Sequence, residues 1–148
     1  MTAFNTPITP APLSLTSQTV TEFDGRIAEL AHLLFDIMSE AGGVALSASA
    51  IGRPERLTVV DLPDASGTWR ALALVNPRIT GGHEGVTDQA SLFPGSAPVF
   101  RFTSVDVVFE TLEGETVTLE ADGPLAVGLQ AQIDVLDGVS NAETRTLH

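Results

Sequence analysis

The segment Leu129-Gln130-Ala131-Gln132-Ile133-Asp134-Val135-Leu136-Asp137-Gly138 constrains this chain more than any other. It completes a helix that begins near Asp122 or Pro124 and stops at Gly138, where glycine suits the exit from a helix. Ala131 and Val135 stand four residues apart and so share one helix face, with Gln132 next to the first. Histidines at this spacing hold a metal between them, but Ala and Val have no lone pair to offer.

The rest of the pattern predicts one α+β domain spanning 1–148, with an extended segment over 1–19. Thr21 to Asp24 reads as a capping box, and a helix follows to about Glu40. Ile27, Leu30, Ala31, Leu34, Met38 and Ala41 fall on one face of it, and Gly42-Gly43 ends it. Leu57 to Leu62 and Ala71 to Asn76 read as strands about an Asp64-Ala65-Ser66-Gly67 turn. Ser104 to Thr111 and Glu115 to Glu120 form a second hairpin. No internal repeat is visible.

Three motifs follow one another along the chain. The first is Gly43-Val44-Ala45-Leu46-Ser47-Ala48-Ser49-Ala50, followed by Ile51-Gly52. The second is Asp88-Gln89-Ala90-Ser91-Leu92-Phe93-Pro94-Gly95, and the third is the helix around Gln132. Together they resemble the peptide deformylases, whose motifs run G-x-G-L-A-A-x-Q, E-G-C-L-S-V-P-G and Q-H-E-I-D-H-L-D-G. The connecting Leu74 to Ile79 is similar to an L-V-N-P-x-I strand, and Ala121 to Ala126 to an A-D-G-L-L-A lead-in. The resemblance runs in order over roughly 9–140 and implies a peptide-deformylase-like fold, with antiparallel sheets packed around a central C-terminal helix.

The resemblance also says what each position does in that family. The metal-binding cysteine falls on Ala90, the two histidines on Ala131 and Val135, and the catalytic glutamate on Gln132. The motif-one glutamine falls on Ala50. A catalytic metal needs three protein ligands and an open position, and Gln cannot accept and return a proton near neutral pH. The expectation is therefore a chain with no cofactor, no metal site and no deformylase activity. Its cleft would be apolar, with Val44, Ala45, Leu46, Ser47, Ser49, Ala50, Gln89, Ala90, Leu92, Phe93, Ala131 and Val135 contacting a ligand. Gln132 would polarise a carbonyl, aided by the backbone N–H groups near Ser91.

Other polar residues carry less. Ser47 and Ser49 have no evident base partner, so neither reads as an activated nucleophile. His32 and His148 read as surface residues, and His83 as part of a Gly81-Gly82-His83-Glu84-Gly85 loop. Arg101 is expected to pair with Asp88, Asp134 to support the fold, and Trp69 to sit at a rim or edge strand.

Composition bounds the partners. The net charge of −12, with seven Arg and no Lys, leaves no basic patch for nucleic acid. Arg without Lys, in a chain rich in Ala and Gly, suits a GC-rich bacterial genome. No apolar run reaches the ~20 residues that span a bilayer, and no secretory signal is visible, so a cytoplasmic protein is expected. Cysteine is absent, which excludes disulfides. Because four of the five altered positions hold Ala or Val, the expected function is a metal-independent, shape-driven cyclisation or isomerisation of a hydrophobic small molecule in natural-product biosynthesis. The alternative is a non-catalytic pseudoenzyme that binds a peptide-like ligand or pairs with a partner subunit. A homodimer is compatible with either.

Overall fold

In the computed structural model, which describes residues 16–88 and 100–139, five strands form one antiparallel sheet in the order β1-β2-β3-β4-β5. The elements are α1 (Gly25–Glu40), β1 (Ala45–Ser47), a short 3-10 helix (Ala48–Ile51), β2 (Leu57–Pro63), β3 (Trp69–Asp88), β4 (Phe100–Glu110), β5 (Thr116–Asp122) and α2 (Gly123–Leu136). This is the expected α+β class, with a single sheet among the described residues where several were expected. None of their helices is long and apolar enough to cross a membrane. Residues 1–15 of the expected extended segment lie outside the described residues. Gln18 makes a parallel bridge with Glu55.

The two-residue period of β2 builds the layers, because successive side chains leave opposite faces of a strand. Leu57 and Val59 turn to one face and join Ile27, Leu30, Ala31, Leu34 and Met38 of α1. Val60 and Leu62 turn to the other and join Leu125, Ala126, Leu129 and Ile133 of α2. Leu74 of β3, Val105, Val107 and Phe109 of β4, and Ala121 of β5 complete that second core. The sheet therefore lies between the two helices. α2 is apolar around much of its circumference, and nine of its fourteen residues are buried, which marks it as an interior helix.

Local chemistry sets the ends of these elements. The cap of α1 is Asp24, three residues beyond the expected Thr21, because the Asp24 carboxylate accepts from the Arg26 amide at 3.0 Å. Helix α2 starts at Gly123, whose φ of +62° is left-handed. A Cβ there would lie 2.6 Å from the Ala65 amide nitrogen, so the β2–β3 turn can approach only a glycine. Asp122 then accepts from that Ala65 amide at 2.8 Å. In the same turn Asp64 accepts from the Ser66 and Thr68 amides at 2.9 and 3.1 Å.

β3 runs far beyond the expected Ala71–Asn76. It continues through Gly81-Gly82-His83-Glu84-Gly85, which the sequence reads as a loop. Glycine has weak strand propensity, but the antiparallel ladder to β4 holds this stretch extended, with Gly82 opposite Val105 and His83 opposite Ser104. Three register shifts absorb the irregular residues. At the first of them Asn76 takes a positive φ of 53°, a conformation asparagine tolerates. Its side chain accepts from the Val20 amide at 2.8 Å and donates to the Val20 carbonyl at 2.9 Å and to Glu110 at 2.7 Å. Asn76 thereby ties the approach to α1 onto the sheet.

Two outcomes test this construction. Leu129→Ala should lower unfolding stability by about 2–5 kcal/mol in urea titration, since it empties a fully buried position beneath the sheet. The hydrogen bonds from Arg26 hold the Asp24 carboxyl below its ordinary value of 3.8. A lowered folded value stabilises above the ordinary range, and that stabilisation is lost as the pH falls through the lowered value. Asp24→Asn keeps a capping oxygen but loses the charge. Its melting temperature should fall short of wild type at pH 7, and the gap should narrow as the pH falls through and below the ordinary carboxylate range.

Candidate functional site

The site forms where β1, β2 and α2 meet on one face of the sheet. Among the described residues β1 is an edge strand paired with β2, with Ser47 opposite Thr58 and Leu46 opposite Val59. Alternation turns Ala45 and Ser47 toward α2 and Leu46 toward α1. Val44 and Ala45 accordingly pack with the α2 core, and Leu46 with the α1 core. Leu46 therefore does not line the α2 side, contrary to expectation, because the strand period assigns it to the opposite face. Ala48 is fully buried in that α1 core as well.

Gln132 reaches back from α2 to β1. The Ser47 hydroxyl donates to Gln132 Oε1 at 2.7 Å, and Ser47 Oγ also lies 3.1 Å from Thr58 Oγ1. Thr58 donates in turn to the Leu46 carbonyl at 3.1 Å. Ser47 and Thr58 are buried, so these hydroxyls need such partners. Among the described residues, the partners of Ser47 and Thr58 in this group are a hydroxyl, an amide and a backbone carbonyl. Among the described residues, Gln132 Nε2 makes no hydrogen bond.

The neighbouring helix face holds the start of β4. Gln130 accepts from the Phe102 amide at 2.9 Å and donates to the Phe102 carbonyl at 2.7 Å, taking the place of a paired strand. It also donates to the Ala126 carbonyl at 3.0 Å. Four residues on, Asp134 forms an ion pair with Arg101. Arg101 thus pairs with α2, whereas the side chain of Asp88, its expected partner, lies outside the described residues. That ion pair ties α2 to the start of β4. His83 lies 2.8 Å from Asp106, on a strand where a loop was expected.

The expected ligand contacts are only partly assembled. At about 100° per residue, Ala131 and Val135 occupy the arc of α2 between Gln132 and Asp134. Ala131 is buried and Val135 half-buried. Ser49 and Ala50 sit in the 3-10 helix that follows β1, and the Ser49 hydroxyl is buried with no hydrogen-bond partner among the described residues. Gln89, Ala90, Ser91, Leu92 and Phe93 lie outside the described residues. A cavity of about 300 Å³ lies elsewhere, beside the start of α1, lined by Val20, Arg26, Arg53 and Glu55 among others. It shares no lining residue with the Gln132 site. Among the described residues, no group of three or more His, Cys, Asp or Glu could hold a metal ion.

Sequence reasoning missed Thr58 and Gln130. Thr58 had a signal, as the one hydroxyl inside the apolar run Leu57-Thr58-Val59-Val60. Gln130 had none, because its partner is the backbone of a residue 28 positions away.

Comparison with known proteins agrees with this architecture. The polypeptide deformylase family profile matches residues 6–145. A peptide deformylase-like protein of Rhizobium meliloti (strain 1021) is 39% identical over 88% of this chain and 77% of its own length. The peptide deformylase of Brucella suis biovar 1 is 33% identical over 89% of this chain and 78% of its own. The crystal structure of a peptide deformylase from Legionella pneumophila superposes with a TM-score of 0.77 at 29% identity, covering 90% of this chain and 79% of that one.

These relatives overturn the expected function. A metal-independent cyclase or isomerase of natural-product biosynthesis, and the alternative pseudoenzyme or partner subunit, find no counterpart among them. The exclusion of deformylase activity is overturned with it, since the relatives carry that enzyme's name. The likeness extends over 88–89% of this chain. The chain belongs to the peptide deformylase family.

Proposed function

We propose that this chain removes a formyl group from peptides, the activity that the name of its peptide deformylase relatives states. The observation that carries this is the placement of Gln132 at the end of β1, an edge strand among the described residues. Among those residues β1 pairs on one side only, and an extended peptide can add to such an edge through main-chain hydrogen bonds. Ser47 ends β1 and holds Gln132. A peptide lying along Ala45 to Ser47 would bring its terminal carbonyl to that amide, with Val44 and Ala45 beside it. Ser49, Ala50, Ala131 and Val135, together with Gln89, Ala90, Ser91, Leu92 and Phe93, would form the remaining walls.

The resemblance implies a divalent metal, and the residues of this chain do not fit it. Ala90, Ala131 and Val135 stand where the family's cysteine and histidines would be, and none has a donor atom. What the chain itself supplies is a hydrogen-bond donor for a carbonyl oxygen, worth about 10²–10³ in rate when it is aimed at developing charge. Gln132 cannot shuttle a proton, and a positioned acid or base contributes about 10²–10⁴. Turnover should be slower than that of a relative carrying the glutamate by at least that factor.

Formate release from formyl-Met-Ala-Ser, followed with formate dehydrogenase, tests the proposal. The expected result is slow, saturable release, lowered about 100-fold in kcat/KM by Gln132→Ala. Release no faster than in buffer, with or without added divalent metal, would overturn it. The convergence of the second and third motifs is tested separately. The combined variant Ala90→Cys, Ala131→His, Gln132→Glu and Val135→His should bind one zinc per chain by elemental analysis. If it binds none, the second and third motifs do not converge as the resemblance implies.

A further inference from the structure

The end of α2 is held from outside the helix by Arg56, the residue just before β2. Its side chain is largely enclosed, 14% exposed, and it bonds three separate segments. It donates to Asp137, just past α2, at 2.8 Å, to the Pro77 carbonyl in β3 at 2.7 Å, and to the Ser17 hydroxyl at 3.2 Å. Asp137 is an acid at the negative pole of a helix, an unfavourable place that the guanidinium offsets. Ser17 completes the helix end. The Ile133, Asp134 and Val135 carbonyls accept from the Asp137, Val139 and Gly138 amides, all within the cap itself. The Leu136 carbonyl accepts instead from the Ser17 amide at 2.9 Å and the Ser17 hydroxyl at 2.8 Å. All four final carbonyls of α2 are thereby met.

From these contacts we infer that Arg56 is a positioning residue for the site: with Ser17 it fixes the last turn of α2 and so sets where Gln132 stands against β1. This role rests on the proposed function, since Gln132 is the group that meets the ligand there. The apolar stripe of α2 prevents gross rotation, but hydrophobic burial is non-directional and does not fix a small slide or tilt. One polar contact, between Ser47 and Gln132 at 2.7 Å, leaves the helix able to pivot about it. A second contact, one turn further on at Leu136 and Asp137, removes that freedom. β2 matches the spacing, because the two residues from Arg56 to Thr58 advance about 6.7 Å and the four from Gln132 to Leu136 about 6 Å. Among the described residues Arg56 bonds none of Ser47, Thr58 or Gln132, so its influence passes through the helix.

Arg56→Lys separates positioning from support, because it keeps a charge opposite Asp137 but loses the fork that spans the three segments. In formate release from formyl-Met-Ala-Ser, kcat should fall about tenfold or more while KM stays within about twofold. Leu34→Ala empties a fully buried position in the opposite core and, at a temperature where it stays folded, should leave kcat within about twofold. A second readout needs no turnover. Side-chain nitrogen relaxation should show the Gln132 NH2 group more mobile in Arg56→Lys than in wild type, and unchanged in Leu34→Ala. Where Arg56→Lys does not fold, Ser17→Ala removes one hydroxyl and should give a milder loss in the same direction, about threefold in kcat. A loss carried in KM, an unchanged Gln132 mobility, or equal changes in Leu34→Ala would overturn the positioning role. If wild type releases no formate, the proposed function fails, and the mobility of Gln132 alone decides the role of Arg56.

Discussion

Everything in this molecule hangs on the burial of α2 against the sheet. Leu125, Leu129 and Ile133 recur at four-residue intervals and sink between strands β2, β4 and β5, removing from water the apolar surface that drives folding. Once that stripe is buried, the angular position of every other residue on the helix follows. Gln132 is rotated toward β1, Gln130 and Asp134 toward the start of β4, and Ala131 with Val135 onto the arc between them. The site is therefore a by-product of core packing. Its side chains hold their directions because the helix cannot rotate without exposing leucines.

The same helix joins the two ends of the sheet by different chemistry. On the β4 side Gln130 replaces a missing strand partner with its side-chain amide, and Asp134 pairs with Arg101. On the β1 side the contact is a neutral hydroxyl–amide bond. The β4 side thus carries charge and main-chain bonding that hold structure, while the β1 side keeps an amide nitrogen with protons to give. That asymmetry gives the two sides of the helix different chemistry. It also explains why a neutral residue at position 132 suits its surroundings: a carboxylate would lie against buried hydroxyls and apolar walls, where charge is costly to desolvate.

Much of the fold was legible from periodicity. The α1 face read from the sequence is the face that packs, apart from Ala41, which lies at the exposed end of the helix. The β2 run and the Asp64 turn fell where alternation and turn chemistry placed them. β3 was cut short because Asn76, Pro77 and the glycines after Ile79 are all poor strand formers. They are held extended by pairing with β4, a contact that no local window contains. The cap at Asp24 was displaced to Thr21 for a related reason, since Ser/Thr and Asp both cap well and only geometry chooses between them. At the site, Gln132 and Ser47 could be named from their motifs, but their partnership, 85 residues apart in sequence, could not.

The sequence by itself determined which side chains exist to do chemistry. It shows a helix with Ala, Gln and Val at positions 131, 132 and 135, no cysteine anywhere, and a chain-long order of motifs that points to one family. Residue identity decides what atoms are available, so the donor set was settled before any coordinate. The tertiary structure decided orientation: that Leu46 turns away from the α2 side, that Arg101 meets Asp134, and that Thr58 commits its proton to Leu46 while Ser47 turns its own to Gln132. Those outcomes depend on strand register and helix rotation. Both are set by burying the whole core at once, and no local stretch of sequence encodes that collective constraint.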